Sequence, residues 1–197
     1  MAHYFENDQN LKSEWKEHHV RVLNHDYTFI TDHGVFSKQG LDFGTRTLLE
    51  TLPLEEIHGK VLDLGCGYGP IGIALKTVVD VDVDMIDVNR RSLHLARMNA
   101  DKNKVEVHIF ESNGYENVSD VYDFIITNPP IRVGKKILYE LLFGAKDYLK
   151  ENGELWLVVH KDQGAKSLAR DLKKEYFVEI KNKNKGFYII RAKKREN

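Results

Sequence analysis

Val61-Leu62-Asp63-Leu64-Gly65-Cys66-Gly67-Tyr68-Gly69-Pro70 decides the fold, because an apolar strand there runs straight into a turn with glycine at every second position. Three glycines in five residues allow positive φ and let a ligand approach where a Cβ would collide. Pro70 suits the first position of a helix, where its missing N–H would be unpaired anyway. Ile71, Ala74, Leu75 and Val78 follow at helical spacing. Strand, glycine turn and helix in this order form the nucleotide-binding opening of a doubly wound α/β sheet.

Register narrows the ligand. Gly67, Gly69 and Gly72 match G-x-G-x-x-G, but a dinucleotide fingerprint begins directly after its strand, and that place belongs to Gly65. Counted from Gly65, the third fingerprint position is Pro70, which weakens a nicotinamide-dinucleotide reading. Asp63-x-Gly65-x-Gly67-x-Gly69 instead resembles the first motif of class I S-adenosylmethionine-dependent methyltransferases. The resemblance implies a loop lying under the methionine and ribose portions of S-adenosylmethionine, with Asp63, Gly65, Gly67 and Gly69 as binding residues. An acidic residue ending the next strand is the expected companion, and Asp87 follows Val81-Asp82-Val83-Asp84-Met85-Ile86. Its carboxylate could accept charge-assisted hydrogen bonds from both ribose hydroxyls. Asn113, just past the third strand, is a candidate contact to the adenine.

At 197 residues the chain is expected to form one structural domain. Residues 1–52 would make an N-terminal arm, short strands and a leading helix packed on a core formed by residues 53–197. No run approaches the ~18 apolar residues of a membrane span. The start, Met1-Ala2-His3-Tyr4-Phe5-Glu6, has neither the basic nor the apolar region of a secretory signal. A cytoplasmic protein without membrane attachment is expected, and a monomer. The single cysteine, Cys66, excludes an internal disulfide and any multi-cysteine zinc site, and serves as a small residue in the turn. His18 and His19 are adjacent, without spaced partners, so no metal is expected. The net charge of −1 hides an asymmetry: residues 132–197 carry 17 Lys and Arg against 9 Asp and Glu, whereas residues 1–131 carry 12 against 21. This separation is compatible with two solvated faces and also with a polyanion met by the C-terminal part.

Along the chain, residues 1–19 are polar and aperiodic, suggesting an arm or an irregular strand. Residues 20–37 alternate β-branched and aromatic residues, with Asn24-His25-Asp26 and Asp32-His33-Gly34 as turns, and read as short strands or a hairpin packed beside the main fold. A helix over residues 41–50 ends before Pro53. After the glycine turn come a helix from Arg90 to Lys102, a strand over residues 105–110 and the apolar run Tyr122 to Thr127, which suits a buried parallel strand. A helix over residues 135–150 is closed by Asn152-Gly153, with Gly153 in the left-handed position. Strand 155–159 and helix 165–175 follow. Strands 177–180 and 187–190, joined by residues 182–186, must be antiparallel because so short a loop allows no crossover. The expected fold is a doubly wound, seven-stranded Rossmann-like methyltransferase sheet with a terminal antiparallel hairpin and a β-rich N-terminal extension.

At the end of the fourth strand stands Thr127-Asn128-Pro129-Pro130-Ile131. Ligands of open α/β sheets bind at the carboxyl ends of the strands, which places this segment beside the glycine turn. The prolines hold the backbone extended and offer no N–H. What remains is a rigid set of acceptors, the Asn128 side-chain oxygen and free carbonyls, suited to an exocyclic amine.

Asn128-Pro129-Pro130 matches the fourth motif of amino-group methyltransferases, which implies catalytic roles for Asn128, Pro129 and Pro130 and a place for Asn128 beside the cofactor. The longer string through Ile131, Arg132, Val133, Gly134 and Lys135 joins Asp32-His33-Gly34-Val35-Phe36-Ser37 and Leu41-Asp42-Phe43-Gly44-Thr45. Together they resemble the "methyltransferase small" domain of ribosomal RNA guanine-N2 methyltransferases acting on the small subunit. The likeness runs from about Phe29 to Ile190. It implies methyl transfer to guanine N2, with ribosomal RNA or a ribosomal subunit as partner and Phe36, Thr45, Ile131, Arg132 and Lys135 as substrate contacts. Where the motif often has an aromatic residue that stacks on the base, this chain has Ile131, so stacking would fall to another residue such as Phe36. Adenine N6, a protein glutamine amide, and a noncatalytic RNA-binding role remain as alternatives.

Overall fold

The computed structural model describes residues 14–32 and 41–195. Its centre is a seven-stranded sheet of β3 (Lys60–Leu64), β4 (Asp82–Asp87), β5 (His108–Glu111), β6 (Tyr122–Thr127), β7 (Leu149–His160), β8 (Tyr176–Asn184) and β9 (Phe187–Lys194). The spatial order is β5-β4-β3-β6-β7-β9-β8. β3 to β7 are parallel, and β9 runs antiparallel between β7 and β8. The order reverses direction at β3, which puts the switch point, and any ligand crevice, at the carboxyl ends of β3, β4 and β6.

Strand periodicity builds two cores. Val61, Phe124, Ile126, Trp156 and Val158 face one side, where they meet α1 (Phe43–Thr51), α2 (Pro70–Val78) and α3 (Arg90–Lys102). Leu62, Leu64, Ile125, Leu155 and Leu157 face the other, against α4 (Lys135–Gly144) and α5 (Ala165–Leu172). Successive residues point to opposite faces, so strands covered by helices on both sides are apolar throughout. No helix among the described residues is long and apolar enough to cross a membrane.

Ahead of the sheet, β1 (Lys16–Val22) and β2 (His25–Thr31) form a separate antiparallel pair. Their turn is Leu23-Asn24, both at positive φ (52° and 61°), the two-residue geometry that matches strand twist. The turn therefore precedes the expected Asn24-His25-Asp26, and His18 and His19 already belong to β1. Two asparagines four positions apart, Asn99 on α3 and Asn103 capping its C-terminus, close the edge of β2. Asn99 accepts the Ile30 N–H at 2.8 Å and donates to the Ile30 carbonyl at 3.0 Å. Asn103 does the same for Thr28 at 3.1 and 2.9 Å.

Several expected boundaries move. The third strand starts at His108 rather than residue 105, because Lys104 sits at φ 56° and the Val105 N–H bonds back to the Ala100 carbonyl, closing α3. The helix expected over residues 135–150 ends at Gly144 and gives way to a 3₁₀ turn, Ala145–Tyr148. β7 begins at Leu149, and its pairing with β6 jumps from Tyr122↔Leu149 to Phe124↔Glu154. The left-handed residue in that jump is Asn152 (φ 63°), not Gly153. A Cβ on Gly153 would instead lie 2.8 Å from the Lys150 carbonyl oxygen, which is why glycine fits there. The last hairpin turns on Lys185-Gly186 alone, so both strands run longer than expected.

Candidate active site

Gly65, Gly67 and Gly69 all take positive φ (69°, 57° and 101°), the conformation in which glycine alone is unstrained. A Cβ on Gly65 or Gly67 would meet nothing within 4 Å, so space lies open above the turn. Gly72 has the opposite reason for being glycine. Its Cβ would stand 2.6 Å from Met85 Sδ and 3.1 Å from Asp63 Oδ2, because α2 is pressed onto the sheet there. The Cys66 N–H bonds to the Ile86 carbonyl at 2.8 Å, fastening the turn to β4. Burial, reinforced by the charges of Asp63 and Asp87, pushes the Cys66 thiol well above its ordinary range, which disfavours the reactive thiolate.

Two carboxylates frame the turn from inside. Asp63 Oδ2 accepts the Gly72 N–H at 2.9 Å, while Oδ1 is buried with no hydrogen-bond partner among the described residues. Burial raises its pKa to about 7, opposed by the Gly72 N–H and reinforced by the charge of Asp87. Asp87, at the end of β4, accepts the Gly67 N–H through Oδ2 and the Asn89 N–H through Oδ1, both at 2.9 Å. Burial raises its pKa too, with the N–H groups of Asn89, Gly67 and Val88 pulling the other way. Each oxygen keeps a further lone pair for a ligand donor. Beside it, the loop after β5 is tied to β4 by Ser112 N–H to the Asp87 carbonyl at 3.1 Å. Asn113 follows with an exposed side chain.

Asn128 stands at the end of β6, held in register by Thr127 Oγ1 donating to the Leu64 carbonyl at 2.7 Å. Its amide is oriented from α1: Nδ2 lies 3.1 Å from Asp42 Oδ2 and 3.0 Å from Thr45 Oγ1. A carboxylate can only accept, so the nitrogen of the amide must face Asp42. Asn128 Oδ1 is thereby turned away, with its acceptor capacity available. Asp42 works twice, because its Oδ1 also caps α1 by accepting the Thr45 N–H at 2.7 Å. Pro129 is buried and Pro130 half-buried, and the chain then makes a 3₁₀ turn, Ile131–Val133.

The structure thus brings Asp63, Gly65, Gly67, Gly69, Asp87, Asn128, Pro129 and Thr45 to the carboxyl ends of β3, β4 and β6 or onto α1 against them. Thr45 is buried, with its hydroxyl on Asn128. Ile131 is half-buried beside the α4 and α5 core, whereas Arg132 and Lys135 are exposed where α4 begins. The Lys135 ammonium lies 5.2 Å from the Tyr139 ring centre. Phe36 lies outside the described residues. Two residues that sequence pattern did not single out matter here. Asp42 carries a visible cap signal, an acidic residue three positions before Thr45, but nothing local reveals its second partner. Asn99, a polar residue on the apolar face of α3, also donates to the Tyr68 carbonyl inside the glycine turn at 2.8 Å. Its place between Leu95, Ala96 and Ala100 was the signal.

The family model described as the methyltransferase small domain matches residues 26–191. A protein of Bacillus subtilis (strain 168) called "Uncharacterized protein YbxB" is 43% identical over 198 residues, covering 98% of both chains. Ribosomal RNA small subunit methyltransferase C of Aliivibrio fischeri is 35% identical over 156 residues, 77% of this chain and 45% of its own length. The present chain therefore spans somewhat less than half of that relative. Among solved structures, the T. thermophilus 16S rRNA N2 G1207 methyltransferase in complex with AdoMet and guanosine superimposes with a TM-score of 0.83 at 26% identity. That likeness covers 94% of this chain and 52% of the other.

Proposed function

Since this chain belongs to the methyltransferase small domain family, we propose that it transfers a methyl group from S-adenosylmethionine to the N2 amine of a guanine in ribosomal RNA. The observation that carries this reading is the orientation of Asn128, whose Nδ2 is committed to Asp42 and Thr45 and whose Oδ1 is left as an acceptor. An amine bearing two N–H groups is what such an acceptor fits.

The residues present also fit the cofactor. Asp63 offers a buried oxygen without a partner among the described residues, suited to a cationic amine. The open space over Gly65 and Gly67 admits a ligand against the backbone. Asp87 would take the ribose hydroxyls on its remaining lone pairs, and Asn113 would contact the adenine. When bound, S-adenosylmethionine supplies a methyl group already activated by its sulfonium. The chain's task is then alignment and charge. Asn128 Oδ1 and the Pro129 carbonyl accept the N–H groups of the amine, directing its nitrogen and stabilising the positive charge that grows there as the N–C bond forms and the C–S bond breaks. The surplus proton leaves to water, so no side chain need act as base. A guanine paired in a helix must first be swung out, at a cost of a few kcal/mol.

Incubation with radiolabelled S-adenosylmethionine and small-subunit RNA lacking this modification, followed by mass spectrometry of nucleosides, tests the reading. N2-methylguanosine is the expected product. Methylated adenosine, a label found in protein, or cofactor binding without transfer would overturn it in favour of the adenine, glutamine or noncatalytic alternatives.

A further inference from the structure

Away from the glycine turn, the edge strand β8 and helix α5 enclose an open groove of about 350 Å³. Its walls carry Lys166, Arg170, Lys173 and Lys183, all exposed, and its floor includes Val178 and Ile180. The charge is almost unneutralised. Arg170 meets Asp171 at 3.3 Å, but no ion pair among the described residues engages Lys166, Lys173 or Lys183. The Lys183 ammonium instead lies 4.9 Å from the ring centre of Tyr188. Four cations round one concavity repel one another and concentrate anions there. Ile180, an exposed aliphatic side chain on the floor, adds apolar contact for a ligand that is not charged throughout.

The groove leads toward the crevice. β9 is antiparallel to β7, and Phe187 pairs with His160 at the carboxyl end of β7. The hairpin turn Lys185-Gly186 therefore lies at the same end of the sheet as the glycine turn and Asn128. The Lys161 N–H fixes that turn by bonding to the Gly186 carbonyl at 2.7 Å. The Lys185 ammonium stands 4.6 Å from the centre of the Phe43 ring, and Phe43 follows Asp42, the residue that orients Asn128. α5 begins at Ala165, soon after the end of β7, and runs from there along the groove. A cationic path thus joins the start of α1, through the hairpin tip, to the groove beside α5.

We propose that the groove between α5 and β8 is a docking track for single-stranded RNA flanking the target nucleotide, with Lys166, Arg170 and Lys183 holding successive phosphates. The inference rests on the reading of RNA as the acceptor. A linear polyanion with apolar bases matches basic walls, an apolar floor and a course that ends at the crevice. Affinity of this kind is strongly salt-dependent, because each neutralised phosphate releases a counterion.

The test is the triple variant K166E/R170E/K183E, with K16E/K104E/K193E as a control of equal charge change on β1, the loop after α3 and the end of β9. The probe is an unmodified transcript of a small-subunit RNA segment, titrated over a salt series, with S-adenosylmethionine affinity measured in parallel. The groove variant should keep its cofactor affinity and melting temperature. Its RNA Kd should rise at least tenfold, and the slope of log K against log salt should flatten by about 2, roughly 0.7 for each single-strand phosphate no longer neutralised. The control should stay near wild type. If the groove variant keeps the wild-type slope and affinity while still methylating RNA, the track is refuted and the enzymatic reading stands. If control and groove variants weaken equally, net charge rather than the groove is responsible, and the track is again refuted. A wild type that binds the cofactor but no RNA at low salt would overturn the RNA acceptor and the track together.

Discussion

Asp42→Asn is the most discriminating change at this site. Asp42 accepts at both ends, the Thr45 N–H on Oδ1 and Asn128 Nδ2 on Oδ2. An amide can accept at one end only. If the introduced amide keeps its oxygen on the Thr45 N–H, its NH₂ faces the NH₂ of Asn128, and one of the two must turn. Turning the introduced amide leaves the helix uncapped, at about 1 kcal/mol. Turning Asn128 costs less, because its oxygen then accepts from the new NH₂, and the Thr45 hydroxyl can reverse its role and donate to it. Asn128 should therefore present NH₂, not oxygen, to the substrate amine. Removal of one preorganised polar group from a reacting centre costs about 10²–10³ in kcat, or roughly 2.7–4 kcal/mol. Asp42→Asn should show a loss of that size, close to that of Asn128→Ala, while cofactor affinity is unchanged and the melting temperature falls less than for Asp42→Ala. Single-turnover methylation with calorimetric cofactor titration measures both. Near-wild-type kcat for Asp42→Asn beside an inactive Asn128→Ala would refute the orientation argument.

Asp87→Ala should weaken S-adenosylmethionine binding by about 1.5–3 kcal/mol, the range for hydrogen bonds to a charged group, and an unchanged Kd in a folded variant would remove Asp87 from the cofactor site. Asp63, with its pKa raised by burial from the ordinary 3.8 to about 7, holds more protons folded than unfolded. Its contribution to the stability of the cofactor-free protein is therefore greatest below about pH 4 and is lost as pH rises through about 7. Cofactor affinity should rise over roughly pH 6–8 as the carboxylate forms. Asp63→Asn should flatten both profiles, and retention of either pH dependence would mean that another group titrates. Gly72→Ala should destabilise by about 1–3 kcal/mol through overpacking, because Met85 is itself fully buried and cannot retreat to solvent. A melting temperature equal to wild type would contradict that close approach.

Much of the architecture was written locally. Strand β3, the glycine turn and α2 combine periodicity with strong punctuation, and α3 and β6 have the bounds that their patterns predict. Where prediction overran, an apolar pattern continued past its element. Leu138, Leu142, Ala145 and Leu149 keep helical spacing, yet Leu149 already belongs to β7. Only pairing with β6 and the left-handed Asn152 decide that boundary. Val105 and Val107 alternate like a strand, but Val105 closes α3 and pairing with β4 begins only at His108. At the site, Asp63 near the end of β3, Asp87 closing β4 and Asn128 just past β6 could be named from their places at strand ends. Their partners could not all be, since Asp42 and Thr45 meet Asn128 across 86 and 83 positions of chain. The orphaned oxygen of Asp63 likewise arises from three-dimensional burial.

One side chain makes the hairpin and the glycine turn interdependent. The Asn99 amide bonds at once to both backbone groups of Ile30 and to the Tyr68 carbonyl, so the N-terminal strands and the glycine turn share a single buried polar hub. Were residues before α1 deleted, that amide would face water or an empty groove on one side while still serving Tyr68 on the other. The loss would fall on the cooperativity of the unfolding transition, with the glycine turn loosening ahead of the sheet. The β1–β2 pair is thus not a detachable appendage. Its docking on α3 reaches the turn at Gly65 to Gly69 through the same amide that holds Ile30.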